Sequence, residues 1–275
     1  MTLLANRLRI ADQNFERLSF KASPSEDAWN FEELILESAG VEIKGSGKWF
    51  DDGTRFGMTK LDFDVASEVG GQALTDLGFG GFLKDGKIEL TSNVNWRGAP
   101  AHFSLDRLNG DYSLNVLKGS FPTISSNSGR LLGLLNINAL SRRLRLDFGD
   151  VFGEGLAFDQ MRTKGIFNEG DIVLKEFFIF APSVYVEALG NVKLAKEEYD
   201  LQMLVSPQLG GNVALLTALS NPAAGAVVWL VDQIFDNPLS KFIVYRYDIT
   251  GPWNKPIVNR EQGNNTGQNN SELGD

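Results

Sequence analysis

Apolar and polar residues alternate one for one through most of this chain. Val41, Ile43 and Trp49 fall on odd positions, as do Leu61, Phe63 and Val65, with Asp62 and Asp64 between them. The even positions carry Ile88, Leu90, Val94 and Trp96 against Glu89, Thr91, Asn93 and Asn95. The pattern returns in Tyr112, Leu114 and Val116, in Val184, Val186, Ala188 and Val192, and in Tyr199, Leu201, Met203 and Val205. A last run is Ile243, Tyr245, Tyr247 and Ile249. Side chains on a strand point to opposite faces in turn, so each run predicts a strand with one apolar and one wet face.

The breaks between runs predict an antiparallel meander. Asn109-Gly110, between residues 103–108 and 112–117, is a strong hairpin signal, and Asp52-Gly53, Asp85-Gly86 and Glu169-Gly170 read as further turns. Trp96 and Trp253 each stand just before a turn that contains proline, which reads as a loose repeat of one hairpin-like unit. The expected fold is therefore mainly β: a strongly curved antiparallel sheet, either an open groove (a U-shaped half-barrel) or folded onto itself. An apolar sheet face must be covered by something, and periodicity does not distinguish a second sheet, a helix, a partner or lipid.

Helical signals are few. Residues 73–77 read as a single turn, and residues 129–138, with Leu131, Leu132, Leu134 and Leu135, as a short apolar helix near 130–138. Residues 141–152 read as a short strand or 3-10 turn followed by a helical turn. The exception to the β pattern is residues 201–231, which carry no charge between Asp200 and Asp232. Its Ala-rich part, about 211–236, predicts a C-terminal helical hairpin or one kinked helix, because Pro222 interrupts the backbone bonding. Thr217, Ser220 and Asn221 near its centre argue against a full membrane span. Two roles stay open: a plug that closes the end of a groove, or a membrane-touching hairpin. In either, Leu215, Leu216, Leu219, Val227, Trp229, Leu230 and Phe235 are the apolar contacts.

Composition narrows the function classes. The chain has 275 residues, 43% of them hydrophobic, which is enough for a substantial core. A net charge of −9 excludes a nucleic-acid partner that would need a basic face. With no cysteine there is neither a disulfide framework nor thiolate chemistry. The first ten residues do not read as a secretory signal, since Arg7 and Arg9 break the apolar run. Residues 261–275, rich in Asn, Gly, Gln and Ser, read as a disordered tail.

No constellation reads as catalytic. His102 is the single histidine and is expected on a solvated strand face, where it supports neither a triad nor a metal site. Asp62 and Asp64 share one strand face, and their opposite face is the apolar one, so they read as solvated charge. The glycines fit no phosphate loop and no dinucleotide fingerprint. Arg142, Arg143 and Arg145 are the one basic concentration. They read as partners of Asp147, Asp150 and Glu154, or as contacts for lipid headgroups. Neither cofactor nor metal is expected.

From Arg130 onward the chain resembles the C-terminal region of the AsmA-like proteins, in the YhdP branch. The resemblance rests on residues 131–136 (LLGLLN), 140–148 (LSRRLRLDF), 150–159 (DVFGEGLAFD), 205–209 (VSPQL) and 245–253 (YRYDITGPW), in that order. Weaker matches at Trp29, Gly47-Lys-Trp49, residues 74–78 and Trp96 extend it over roughly 15–260.

The resemblance implies the distal piece of a periplasmic protein anchored in the inner membrane. Its body would be a long β groove that carries phospholipid toward the outer membrane. Residues 1–128 would form an N-terminal meander of the groove, and 129–260 a C-terminal β region with the insert 211–236. Val184, Val186, Ala188, Val192, Tyr199, Leu201, Met203 and Val205 are the expected lipid-facing residues, and the chain is expected not to be an enzyme. The alternative is a module that docks the end of such a bridge on an outer-envelope partner, membrane or protein, without binding lipid itself.

Overall fold

The computed structural model describes residues 1–10, 13–38, 40–54, 56–76, 80–122, 155–207 and 244–261. Thirteen strands build one antiparallel sheet in which spatial order equals chain order. They are β1 (Thr2–Ile10), β2 (Gln13–Pro24), β3 (Ala28–Ser38), β4 (Val41–Phe50), β5 (Met58–Ser67), β6 (Lys84–Arg97) and β7 (Asn109–Phe121). Then follow β8 (Leu156–Asn168), β9 (Asp171–Phe180), β10 (Val184–Lys193), β11 (Glu198–Pro207), β12 (Tyr245–Pro252) and β13 (Ile257–Arg260). β1 and β13 are its two edges, so the sheet is not closed into a barrel.

The alternation in the sequence sets the register. Ile43 stands opposite Val65, Val65 opposite Leu90, and Leu90 opposite Leu114. A slip by one residue at any of these ladders would bring Asp64 or Glu89 to the apolar side, which is why the pairing is specified. Charged side chains keep to the other face, where they pair across strands: Arg162 and Lys164 both reach Glu176, at 3.7 and 3.0 Å.

Two turn expectations are corrected. Residues 103–108 are not a strand, and Asn109-Gly110 is not a hairpin turn: both residues open β7. Pro100 starts a 3-10 turn, Pro100–His102, followed by a second, Leu105–Arg107. Phe103 packs edge-on against Trp96 at 5.3 Å, folding this connection back on the sheet. The Asn109 side chain instead accepts a hydrogen bond from the Glu169 N–H of the β8–β9 turn at 3.0 Å. His102 therefore lies in a connection and not on a strand. Asp85-Gly86 is likewise no turn. It lies inside β6, where Asp85 (φ 60°) and Gly86 (φ 89°) are left-handed and Asp85 stands opposite Gly119, next to left-handed Lys118 (φ 54°) of β7. Beyond this irregularity the buried positions of β7 change from Val116 to Gly119 and Phe121, so the apolar parity switches.

The described helix, α1 (Gly70–Asp76), covers the expected turn and extends it toward the N-terminus. It packs on β6 with Gly70 and Gly71 buried beneath it. A Cβ at Gly70 would stand 2.6 Å from Ile88, and one at Gly71 2.6 Å from the Asp85 nitrogen. Glycine at both positions is what allows a helix this short to lie directly on the strand. The expected helices at 129–138 and 211–236, the segment 141–152 and the tail from residue 262 lie outside the described residues. Strands from either side of residue 129 share the one sheet, since β7 pairs with β8.

The close seat of α1 yields a stability prediction. Gly71→Leu should lift α1 from β6 and cost about 2–3 kcal/mol, the usual penalty of overpacking. Chemical denaturation would show it as a lower midpoint, with Ser46→Ala, at an exposed position of β4, as the comparison of small effect.

Candidate lipid-binding face

Reading across the ladders, one row of directly opposed residues crosses all 13 strands. It runs Leu3, Phe20, Leu34, Gly45, Phe63, Ser92 and Tyr112 over β1 to β7. It continues through Gly165, Leu174, Gly190, Leu201, Ile249 and Val258 over β8 to β13. None of these residues is charged. The row on one side runs Ala22, Phe31, Gly47, Leu61, Val94, Gly110, Phe167, Ile172, Val192, Tyr199 and Gly251, again without a charge. At about 4.8 Å per strand, the main row is on the order of 58 Å long.

The polar members of this face are satisfied within the protein. The Ser92 hydroxyl donates to the Asp111 carbonyl at 2.8 Å, and the Tyr112 and Thr163 hydroxyls share a hydrogen bond of 3.2 Å. Burial pushes the Tyr112 phenol above its ordinary range, with the Thr163 bond opposing, so it stays neutral at physiological pH. The face thus presents no formal charge along its length.

Exposure divides the face into two halves. On β2 to β7 the inward residues Leu18, Phe20, Leu34, Leu36, Ile43, Leu61, Phe63, Val65, Leu90 and Leu114 are half-buried. On β10 to β12 the corresponding positions are closed, with Val184, Val205 and Ile249 at 0% exposure. The eight strand residues singled out from the sequence fall in this closed half and on a common side: Val186 opposes Val205, Ala188 opposes Met203, and Val192 opposes Tyr199. The other face is also buried here. Phe178 and Tyr185 lie nearly parallel at 6.4 Å, and Tyr185 donates to buried Glu187 at 3.4 Å. Burial, with the Glu187 carboxylate alongside, holds the Tyr185 phenol far above its usual range.

The two ends of the strands differ in chemistry. Connections 68–83, 122–155 and 208–244 all leave from one end, which we term the insert end; the other, the turn end, has only shorter ones. At the insert end Phe82, Phe121 and Phe158 stack in sequence at 5.5 and 4.9 Å, and Leu83, Phe121 and Phe158 are buried. At the turn end Trp29, Trp49, Thr59 and Trp96 oppose one another as the last row of the uncharged face, one step inside Ala28, Phe50, Met58 and Arg97. Trp29, Phe56, Phe103, Leu105 and Ile257 are exposed at or beside this end, whereas Val69 is exposed at the insert end.

Of the other candidates, His102 borders an open cleft of about 590 Å³ with Arg97, Asp106, Arg107 and Glu169, all on the turn-end surface. Asp62 and Asp64 face outward, Asp62 accepting a hydrogen bond from Asn93. Among the described residues no group of three His, Cys, Asp or Glu is placed to hold a metal, and no helix is long and apolar enough to cross a membrane. Arg142, Arg143 and Arg145, and the residues named in 211–236, lie outside the described residues. Missed in the sequence were β1, β8, β9 and β13, and also β2 and the inward residues of β3. The alternation of the last two in Leu18, Phe20, Leu34 and Leu36 is visible, but extra residues break its phase where the register shifts near Lys21/Ala22 and Phe31/Leu34.

The closed half makes a plain prediction. Val186→Asp places a carboxylate between Ile179 and Val205, both buried, and should cost several kcal/mol. Thermal unfolding would show this as a large loss of stability, or as failure to accumulate folded protein.

Comparison with known proteins agrees with this architecture. No solved structure matches the chain. It is similar to the intermembrane phospholipid transporter YhdP of Escherichia coli (strain K12), with 25% identity over 249 residues, 90% of this chain and 20% of that relative. The chain therefore spans about a fifth of the length of that relative. A family model described as YhdP protein matches residues 1–258, nearly the whole of the sheet, and the chain belongs to the YhdP family.

Proposed function

We propose that this chain handles phospholipid as one section of a transporter in the periplasm, holding acyl chains on the uncharged face of a curved, groove-like sheet. The observation that carries the reading is the uncharged row through all 13 strands, half-open over β2 to β7. Such a surface offers nothing to a polar substrate. Each methylene that leaves water against it contributes about 0.8 kcal/mol, so ten buried methylenes contribute about 8 kcal/mol. The relative's name as an intermembrane phospholipid transporter supplies the ligand class.

The role requires no chemistry. A transport track must hold chains firmly enough to exclude water and release them without a bond being made or broken. Continuity serves that, because a chain moving from one strand to the next meets another uncharged residue. In this reading the half-buried rows of β2 to β7 are the accessible track. The residues Val184 to Val192 and Tyr199 to Val205 continue the same face across β10 and β11.

Ile43→Asp tests the track. Ile43 is half-buried between Leu36 and Val65, so a charge there can remain wetted and the protein should fold. Phospholipid recovered with the purified protein, measured as lipid phosphorus per chain, should fall several-fold. Unchanged lipid in a folded variant would defeat the assignment, and a wild-type protein that purifies without lipid would favour a docking module instead.

A further inference from the structure

We propose that lipid on this face lies in one orientation, with its polar head at the turn end and its chain ends directed toward the insert end. The inference rests on the phospholipid-handling reading above and adds the polarity of the site. Its basis is the unequal chemistry of the strand ends. The last turn-end row of the uncharged face, Trp29, Trp49, Thr59 and Trp96, consists of side chains with an apolar body and a polar handle. The Trp49 indole donates to the Phe56 carbonyl at 3.4 Å, Trp96 to the Ala99 carbonyl at 3.2 Å, and the Thr59 hydroxyl to the Gly98 carbonyl at 2.7 Å. Indoles collect where hydrocarbon gives way to polar headgroups, because one edge of the ring is apolar and the N–H needs an acceptor.

Among the described residues, the uncharged face is lined at the opposite end by phenyl rings and aliphatic carbon. Phe82, Phe121 and Phe158 stack there beside Leu83, and α1 lies on β6 over the same cluster. A headgroup seated among these rings would lose its water without gaining a donor or a cation from them, whereas chain ends lose nothing. Length permits the arrangement. The inward row of Ile43, Val65, Leu90 and Leu114 lies three inward steps from the tryptophan row, roughly 20 Å at 3.4 Å per residue. One bilayer leaflet of hydrocarbon is about 15 Å thick. A phospholipid whose glycerol region sits at Trp29 and Trp49 therefore keeps its chains on the uncharged rows.

Depth-dependent quenching tests the orientation. The full chain, with Trp229 and Trp253 replaced by Phe, keeps its reporters at Trp29, Trp49 and Trp96. It is loaded with phosphatidylcholine that carries a nitroxide either on the choline head or near the end of one acyl chain. The head label should quench at least twofold more strongly than the chain-end label. Val65→Trp, in a background with all five native tryptophans replaced by Phe, should invert that order. Equal quenching by both labels at both positions, or the reverse order, overturns the orientation while leaving lipid binding intact. Absence of quenching by either label at either position defeats the lipid reading itself, and the orientation with it.

Discussion

Antiparallel pairing that keeps one phase of alternation from strand to strand is the constraint on which the rest of this molecule depends. Because side chains alternate across a strand, a sheet of 13 strands keeps one uncharged face only if every ladder holds its phase. Each ladder here does so by opposing apolar residues of neighbouring strands, as in Ile88, Val116, Met161, Ile179, Val186 and Val205. Irregularities occur, near Lys21, Phe31, Lys164 and Glu187, and each is absorbed by the register shift at that point. Each shift restores the phase, so the long row from Leu3 to Val258 survives all of them.

The same alternation separates solubility from function. Carboxylates and amines lie outward, where Lys87 bridges Glu68 and Glu89 at 2.9 and 3.3 Å and Lys21 meets Glu32 at 3.0 Å. These exposed pairs contribute little to stability. Their value is to keep one side of a very wide sheet wet while the other stays free of charge. Inward, the polar hydroxyls of Ser92, Tyr112 and Thr163 are bonded within the protein, so they do not interrupt the apolar track.

Membership in the YhdP family gives this geometry its setting, since the relative it resembles carries phospholipid between membranes. The meander keeps its face uncharged from strand to strand by repetition. What is not repeated is the chemistry at the strand ends. Short turns with tryptophans lie at one end and the longer connections at the other, so the uncharged face differs across its width.

Much of this was legible in the sequence because the strand period is a local property. The apolar phase of Leu61, Leu90, Val116, Val186 and Met203 follows from their immediate neighbours. The resemblance to the family rested on ordered strings of residues and was equally visible. Residues 103–108 misled because their alternation resembles a strand, while Pro100 and the contact of Phe103 with Trp96 turn them back on the sheet. Asp85-Gly86 misled because a left-handed pair serves a turn and a strand irregularity equally well. Which apolar residues are open and which are closed depends on what packs over them, and so does the placing of Trp29, Trp49 and Trp96 in one row. Those depend on contacts between residues far apart in the chain. The sequence by itself determined a one-sided, uncharged β surface; only the tertiary structure decided that the surface is continuous, half-open, and different at its two ends.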